Sequence, residues 1–158
     1  MNGSVYGCNN TNGAPKGTVT VNVTGGTISN NVFGGGNLAN ATVSPIVTVS
    51  GGTVTHDVYG GGALANVSGN TSVVISGGAS GDVYGGGLGS AEVAASVGNT
   101  SVRVTGGTAN NVFGCNNTNG APTGTVNIEI AGGTVKNNVY GGGNTISSYT
   151  FLPYLPSM

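Results

Sequence analysis

The sequence predicts an all-β solenoid, a single stack of about five coils with roughly 27 residues per coil. Three observations predict it. An eight-residue phrase, NNVFGGGN at Asn30, recurs as HDVYGGGA at His56, GDVYGGGL at Gly81, NNVFGCNN at Asn110 and NNVYGGGN at Asn137, with a shorter SVYGCNN at Ser4. Its aromatic residue falls at Tyr6, Phe33, Tyr59, Tyr84, Phe113 and Tyr140, in steps of 27, 26, 25, 29 and 27 residues. Ahead of most copies runs a segment that alternates apolar and polar residues, as half-buried strands do. A period between 20 and 50 marks a solenoid, propeller or array, and about 27 residues is short for a propeller blade of about 40. No segment shows helical spacing of apolar residues free of glycine or β-branched interruption.

Each unit opens on a strand: TVTVNVTGGT from Thr18, PIVTVSGGT from Pro45, TSVVISGGA from Thr71, TSVRVTGGT from Thr100 and TVNIEIAGGT from Thr125. A Gly-Gly bend ends that strand. A second, short strand then closes on Val plus the aromatic, followed by a Gly/Asn turn and a variable loop. One such coil cannot bury its apolar face alone, so neighbours must stack on it. Equivalent residues then sit about 4.8 Å apart, and each must suit copies of itself.

Alignment on Gly-Gly produces the columns. Val23, Val49, Ile75, Val104 and Ile130 form one, and Val21, Val47, Val73, Val102 and Ile128 another. Val32, Val58, Val83, Val112 and Val139 form a third inward column, and the aromatics stack as a fourth. Asn31, Asp57, Asp82, Asn111 and Asn138 precede the motif valines. Their amides are expected to bond to one another as a ladder, with Asp in place of Asn in two rungs. The glycines are expected to supply positive φ at the bends and room for close backbone approach. Arg103 and Glu129, outward in successive coils, are expected to pair. The repeat domain spans residues 1–144. Residues 145–158 leave the repeat, and Phe151, Leu152, Tyr154 and Leu155 suit either a cap over the last coil or a loose end.

Composition removes several functions. The 158 residues hold three Lys+Arg and four Asp+Glu, a net charge of −1. Three positive residues cannot form the basic stripe of a nucleic-acid binder, nor a patch for anionic membranes. No apolar run approaches the roughly 20 residues of a membrane helix, so no membrane insertion is expected. The opening MNGSVYG lacks a basic region followed by an apolar core and falls inside a repeat, so the chain reads as a segment without a leader. Glycine, 33 of the 158 residues, sits at fixed places between valine-rich strands rather than in disordered tracts.

Candidate chemistry is sparse. The GGGN phrase has no Lys and opens no helix, so it is no phosphate loop. Calcium β-rolls need an aspartate after the glycines, which is absent here. No metal, no cofactor and no catalytic residue is assigned, and the chain is not read as an enzyme. Asp57 and Asp82, one rung apart with His56 beside them, are the sharpest catalytic candidates, because paired carboxylates perform glycoside hydrolysis. Their place in the Asn column argues for a structural part instead. Thr27, Thr53, Thr108 and Thr134 make an outward column broken at Ala79, and its neighbour (Asn22, Thr48, Val74, Arg103, Glu129) is too mixed to order ice. Glycosylation sequons begin at Asn2, Asn9, Asn22, Asn40, Asn66, Asn70, Asn99 and Asn116, as a chain rich in Asn, Ser and Thr produces by chance. Cys8 and Cys115 lie four coils apart, about 19 Å. A disulfide needs Cα atoms within about 7 Å, so both are expected to be free thiols. Their surroundings, VYGCNNTNGAPKGTV and VFGCNNTNGAPTGTV, hint at duplication of larger blocks.

The GGTVKNNVYGGGN pattern resembles the glycine-rich β-solenoid repeats of bacterial cell-surface and adhesin-like proteins, over roughly residues 4 to 144. The resemblance implies a structural segment of an extracellular bacterial or phage adhesin-like fibre. Its expected partners are other copies stacked head-to-tail into filaments, or neighbouring repeats of a longer chain. The alternatives are a glycan-binding face, using the aromatic column and loop asparagines, and a polysaccharide-degrading β-helix enzyme.

Overall fold

The computed structural model describes residues 1–145. Phe151, Leu152, Tyr154 and Leu155, read as either a cap or a loose end, lie outside the described residues. Two-residue and long strands alternate along the chain: β1 (Val5–Tyr6), β2 (Thr20–Ile28), β3 (Val32–Phe33), β4 (Ile46–Val54), β5 (Val58–Tyr59), β6 (Thr71–Ala79), β7 (Val83–Tyr84), β8 (Thr100–Ala109), β9 (Val112–Phe113), β10 (Val126–Val135) and β11 (Val139–Tyr140). The short strands form one sheet in the order β1-β3-β5-β7-β9-β11, and the long strands form a second in the order β10-β8-β6-β4-β2. Every pairing is parallel. No helix occurs among the described residues. The protein is a β-solenoid of five coils, each a short strand followed by a long one, with β11 opening a sixth turn.

The register is the expected one. Val32, Val58, Val83, Val112 and Val139 pair in sequence, and so do the aromatics beside them. Val21 faces Val47 and Val23 faces Val49, and these columns continue to Ile128 and Ile130. The interior valines are buried in one continuous cluster. Each fully buried valine contributes ~1.5–3 kcal/mol of transfer free energy, which is what a single coil cannot gain alone. Outside the sheet, Arg103 Nε lies 2.8 Å from Glu129 Oε2, with both side chains half exposed. In that setting the pair contributes roughly 0.2–1 kcal/mol.

The Gly-Gly bend does not end the long strand. β2 and its equivalents run straight through it, and pairing slips at the bend, where Thr24 faces Gly51 and Ser76 faces Gly106. The reason is the second glycine, left-handed in each coil (φ of 73° at Gly26 and 74° at Gly52). That turn re-aims the chain by one corner while hydrogen bonding to the next coil resumes on the far side. The turn also creates an inward column that simple alternation hides: Ile28, Val54, Ser80 and Ala109 are all buried, with Val135 packed against the same core. A further edge is closed by single bridges, Ala41 to Val67, Val67 to Val97 and Val97 to Pro122.

Candidate functional site

The residues singled out for chemistry lie along the edge that precedes each short strand. Asn31, Asp57, Asp82, Asn111 and Asn138 form a ladder, built differently from the expected amide-to-amide one. Each side-chain oxygen accepts from the backbone N–H of the same position one coil on. Asn31 Oδ1 takes Asp57 N–H (2.9 Å), Asp57 Oδ1 takes Asp82 N–H (2.8 Å), Asp82 Oδ1 takes Asn111 N–H (3.0 Å) and Asn111 Oδ1 takes Asn138 N–H (3.1 Å). Such a rung needs only an acceptor, so Asp serves as well as Asn.

Where Asp stands, its second oxygen has its own partner. Tyr59 donates its hydroxyl to Asp57 Oδ2 at 3.2 Å, and Tyr84 donates to Asp82 Oδ2 at 3.4 Å. Of the coils with Asn at the rung, those of Asn31 and Asn111 carry Phe33 and Phe113 in place of tyrosine, whereas Asn138 is followed by Tyr140, whose ring is exposed. The pairing is chemical: a buried hydroxyl needs an acceptor, and a carboxylate has one to spare. Tyr59 also accepts from Asn117 Nδ2 at 2.8 Å. Burial raises the Asp57 carboxyl above the usual carboxylate range, opposed by the N–H of Asp82. Burial pushes both tyrosine hydroxyls well above their ordinary value, and the neighbouring carboxylates add to it. His56 is exposed, and its backbone carbonyl accepts from Gly81 N–H at 2.8 Å. Asp57 and Asp82 are therefore brought together as expected, with each carboxylate engaged at both oxygens.

No family model matches this chain, and no curated protein or solved structure matches it either.

The six aromatic rings stack in one file, with centroids 4.7 to 5.0 Å apart and planes within 11° of parallel. Carbon contacts are optimal at ~3.5–4.0 Å, so nearly parallel rings at this spacing are laterally offset, the arrangement their quadrupoles favour. Phe33, Tyr59, Tyr84 and Phe113 are 1–4% exposed. These four offer no face to a sugar. Beside the last rings lies an open groove of about 510 Å³, lined by Asp82, Asn111, Phe113, Asn138, Tyr140 and Asn144 among others.

Two more ladders were not visible in the sequence. Asn66 N–H donates to Asn40 Oδ1, and Ser96 N–H to Asn66 Oδ1 (2.9 and 2.8 Å). Asn70 N–H donates to Ser44 Oγ, Asn99 N–H to Asn70 Oδ1 and Thr125 N–H to Asn99 Oδ1 (3.1, 3.0 and 2.7 Å). Four of the sequon asparagines, Asn40, Asn66, Asn70 and Asn99, thus spend their oxygen on the axis. The Asn116 sequon is closed to modification in the fold: the residue is 3% exposed, and its amide donates to Ala95 and Asn119 carbonyls. The signal for these ladders was the sequons themselves, attributed to chance in an Asn-, Ser- and Thr-rich chain rather than read as a column.

The outward threonine column is confirmed with its break, since Thr53 and Thr108 both pair with Ala79. Both cysteines are unpaired, as their separation required. Each thiol contacts a carbonyl one coil on, Gly34 or Gly141, and burial raises both above the ordinary thiol value. Among the described residues no cluster of His, Cys, Asp and Glu suits a metal ion.

Proposed function

We propose that the protein is a structural segment of an extracellular, adhesin-like fibre of bacterial or phage origin, in which coil stacking itself is the function. The observation that carries this reading is the use of polar side chains. Asparagine, aspartate and serine are laid along the axis in three files, each holding the backbone of the adjacent coil. A rod is reinforced in this way, whereas an enzyme aims such groups together into a cleft. Low charge and continuous apolar, aromatic and amide columns support the same reading. Among the described residues, β1 and β2 are paired on one side only, as are β10 and β11, and such edges accept further strands. Electron microscopy of the purified chain tests the proposal. Rods or end-to-end filaments are expected; isolated globules at every concentration would overturn the fibre reading.

One observation favours a second reading, glycan binding. The groove by Asp82, Asn111 and Tyr140 combines an exposed aromatic ring with amides and a carboxylate, the groups that hold sugars. A glycan array separates the two, since binding lost on Tyr140→Ala belongs to this groove.

A further inference from the structure

Coils 1 and 5 carry the same loop. Gly7–Val19 and Gly114–Val126 differ at a single position, Lys16 against Thr123. The backbone turn is shared, with left-handed φ at Gly13 (79°) and Gly120 (107°). So is the internal bond: Asn9 Nδ2 donates to Asn12 O at 2.8 Å, as Asn116 Nδ2 does to Asn119 O at 3.2 Å. The contacts to the following coil repeat as well. Asn37 Nδ2 donates to Asn10 Oδ1 at 2.9 Å, and Asn144 Nδ2 to Asn117 Oδ1 at 3.0 Å.

The two loops differ in what precedes them. In coil 5 the loop grips coil 4. Asn116 Nδ2 donates to Ala95 O (2.6 Å), Asn119 Nδ2 donates to Ser90 O (2.8 Å), and Ala95 N–H donates back to Asn119 O (3.2 Å). Ser90 and Ala95 belong to an insertion peculiar to coil 4. From the last glycine of the triplet to the bridging residue, coils 2 and 3 run Gly36 to Ala41 and Gly62 to Val67, whereas coil 4 runs Gly87 to Val97. In coil 1 the equivalent amides of Asn9 and Asn12 are exposed.

We infer that the open side of coil 1 is a docking face for a coil built like coil 4, and that the architecture repeats in units of four coils. The occupant is a solenoid coil with the sequence character of Val83–Asn111, including the lengthened Leu88–Ser96 loop. The argument is continuity with the coil 4–coil 5 interface inside the chain, whose receiving residues coil 1 duplicates. Lys16 is the one departure, and it forfeits only the Thr123 hydroxyl bond to Val97 O (3.2 Å), since the Thr123 N–H bond (2.9 Å) is open to any residue but proline. The turn that β11 opens repeats the contacts of coil 2, not those of coil 4. Direct stacking of one copy on the next therefore continues the valine and aromatic columns but sets Asn9 and Asn12 against a coil of the wrong type. Correct phase needs two further coils. This deepens the fibre reading by naming its repeating unit.

The test extends the full chain at its N-terminal side, replacing Met1–Ser4 by a copy of Val83–Asn111. A control extension uses a copy of coil 3, Val58–Asp82. Both supply strand edges and columns, and only the first supplies Ser90 and Ala95. Exchange of the Asn9 and Asn12 side-chain amide protons is expected to slow by about tenfold or more in the first extension relative to the second. Asn9→Ala should lower the denaturation midpoint of the first extension by more than that of the control or the unextended chain, where it removes only the exposed bond to Asn12 O. Equal protection in both extensions would overturn the inference, as would a coil 4 extension that stays unprotected while the coil 3 extension folds. The readout comes from a single chain, so a protein that forms no fibre would still answer it, and failure of one proposal does not touch the other.

Discussion

The two glycine corners of each coil look alike in sequence and face opposite ways along the axis. At the triplet corner the first glycine faces the following coil. A methyl added at Gly34 would strike the Gly60 carbonyl, and one added at Gly60 would strike the Gly85 carbonyl. At the Gly-Gly corner the first glycine faces the preceding coil. A methyl on Gly51 would strike the Thr24 carbonyl, and one on Gly77 the Ser50 carbonyl. Of the two corners only the Gly-Gly one has positive φ, and no triplet glycine has it. The triplet is glycine for want of space, and the second residue of Gly-Gly is glycine for its conformation. The distinction is testable because the two causes scale differently.

The largest effect is expected at the triplet. Gly60→Ala drives a methyl into the Gly85 carbonyl and within 2.9 Å of Thr71 Cβ, neither of which is a flexible chain end. Overpacking of this kind costs roughly 1–3 kcal/mol, occasionally more, and this site belongs at the upper end. Chemical denaturation measures it. A loss under about 0.5 kcal/mol would show that coils separate easily at this corner.

Next comes conformation alone. Gly26 has φ of 73° and nothing within 4 Å of an added methyl. Gly26→Ala should cost about 1–2 kcal/mol, the penalty of a left-handed residue with a side chain. Replacement by D-alanine, through chemical synthesis, should restore stability. A D-residue as costly as the L-residue would mean that φ is not the cause.

A third contrast tests whether side chains obey the same neighbour-by-neighbour logic. Asp57→Asn keeps the acceptor for Asp82 N–H but removes the acceptor for the Tyr59 hydroxyl. Tyr59→Phe removes the donor. The two changes should couple by about 0.5–1.5 kcal/mol in a double-mutant cycle. The pH dependence carries a sign. Burial raises the Asp57 carboxyl in the folded state, so the folded chain holds that proton more tightly than the unfolded one. This residue's contribution to stability therefore falls as pH rises from about 3.9 through the raised value, and Asp57→Asn should flatten that part of the profile. An unchanged profile would remove Asp57 as its source.

Much of this was legible because periodicity is a strong constraint. Val32, Val58, Val83, Val112 and Val139 had to share a column once the coil length was known, and Arg103 had to meet Glu129. What escaped lay where the period breaks. Ile28, Val54, Ser80, Ala109 and Val135 were hidden by the kink inside a strand that continues past its glycines. The Asn40–Asn66 and Ser44–Asn70–Asn99 ladders were hidden by loops of unequal length, and coil 4 alone shifts their spacing through its insertion. Asp57 and Asp82 were placed correctly, while their chemistry was not visible. Which oxygen meets a backbone N–H and which meets a tyrosine is settled only when the next coil is in place.

The smallest expected effect is the sharpest test of the comparison. Gly25 and Gly51 are the same position in coils 1 and 2, and neither has positive φ. An added methyl on Gly51 strikes the Thr24 carbonyl, whereas one on Gly25 meets nothing within 4 Å. If the preceding coil is the only reason for glycine here, Gly51→Ala should cost roughly 1–3 kcal/mol and Gly25→Ala should stay within about 0.5 kcal/mol of zero. Equal losses would assign the requirement to the bend itself and erase the directionality of the two corners. The same substitution then reports on docking. In a chain carrying a further coil ahead of β2, Gly25 gains a carbonyl beneath it and becomes the equivalent of Gly51. Gly25→Ala should turn from neutral to costly in that chain, because what makes this glycine necessary is the coil under it.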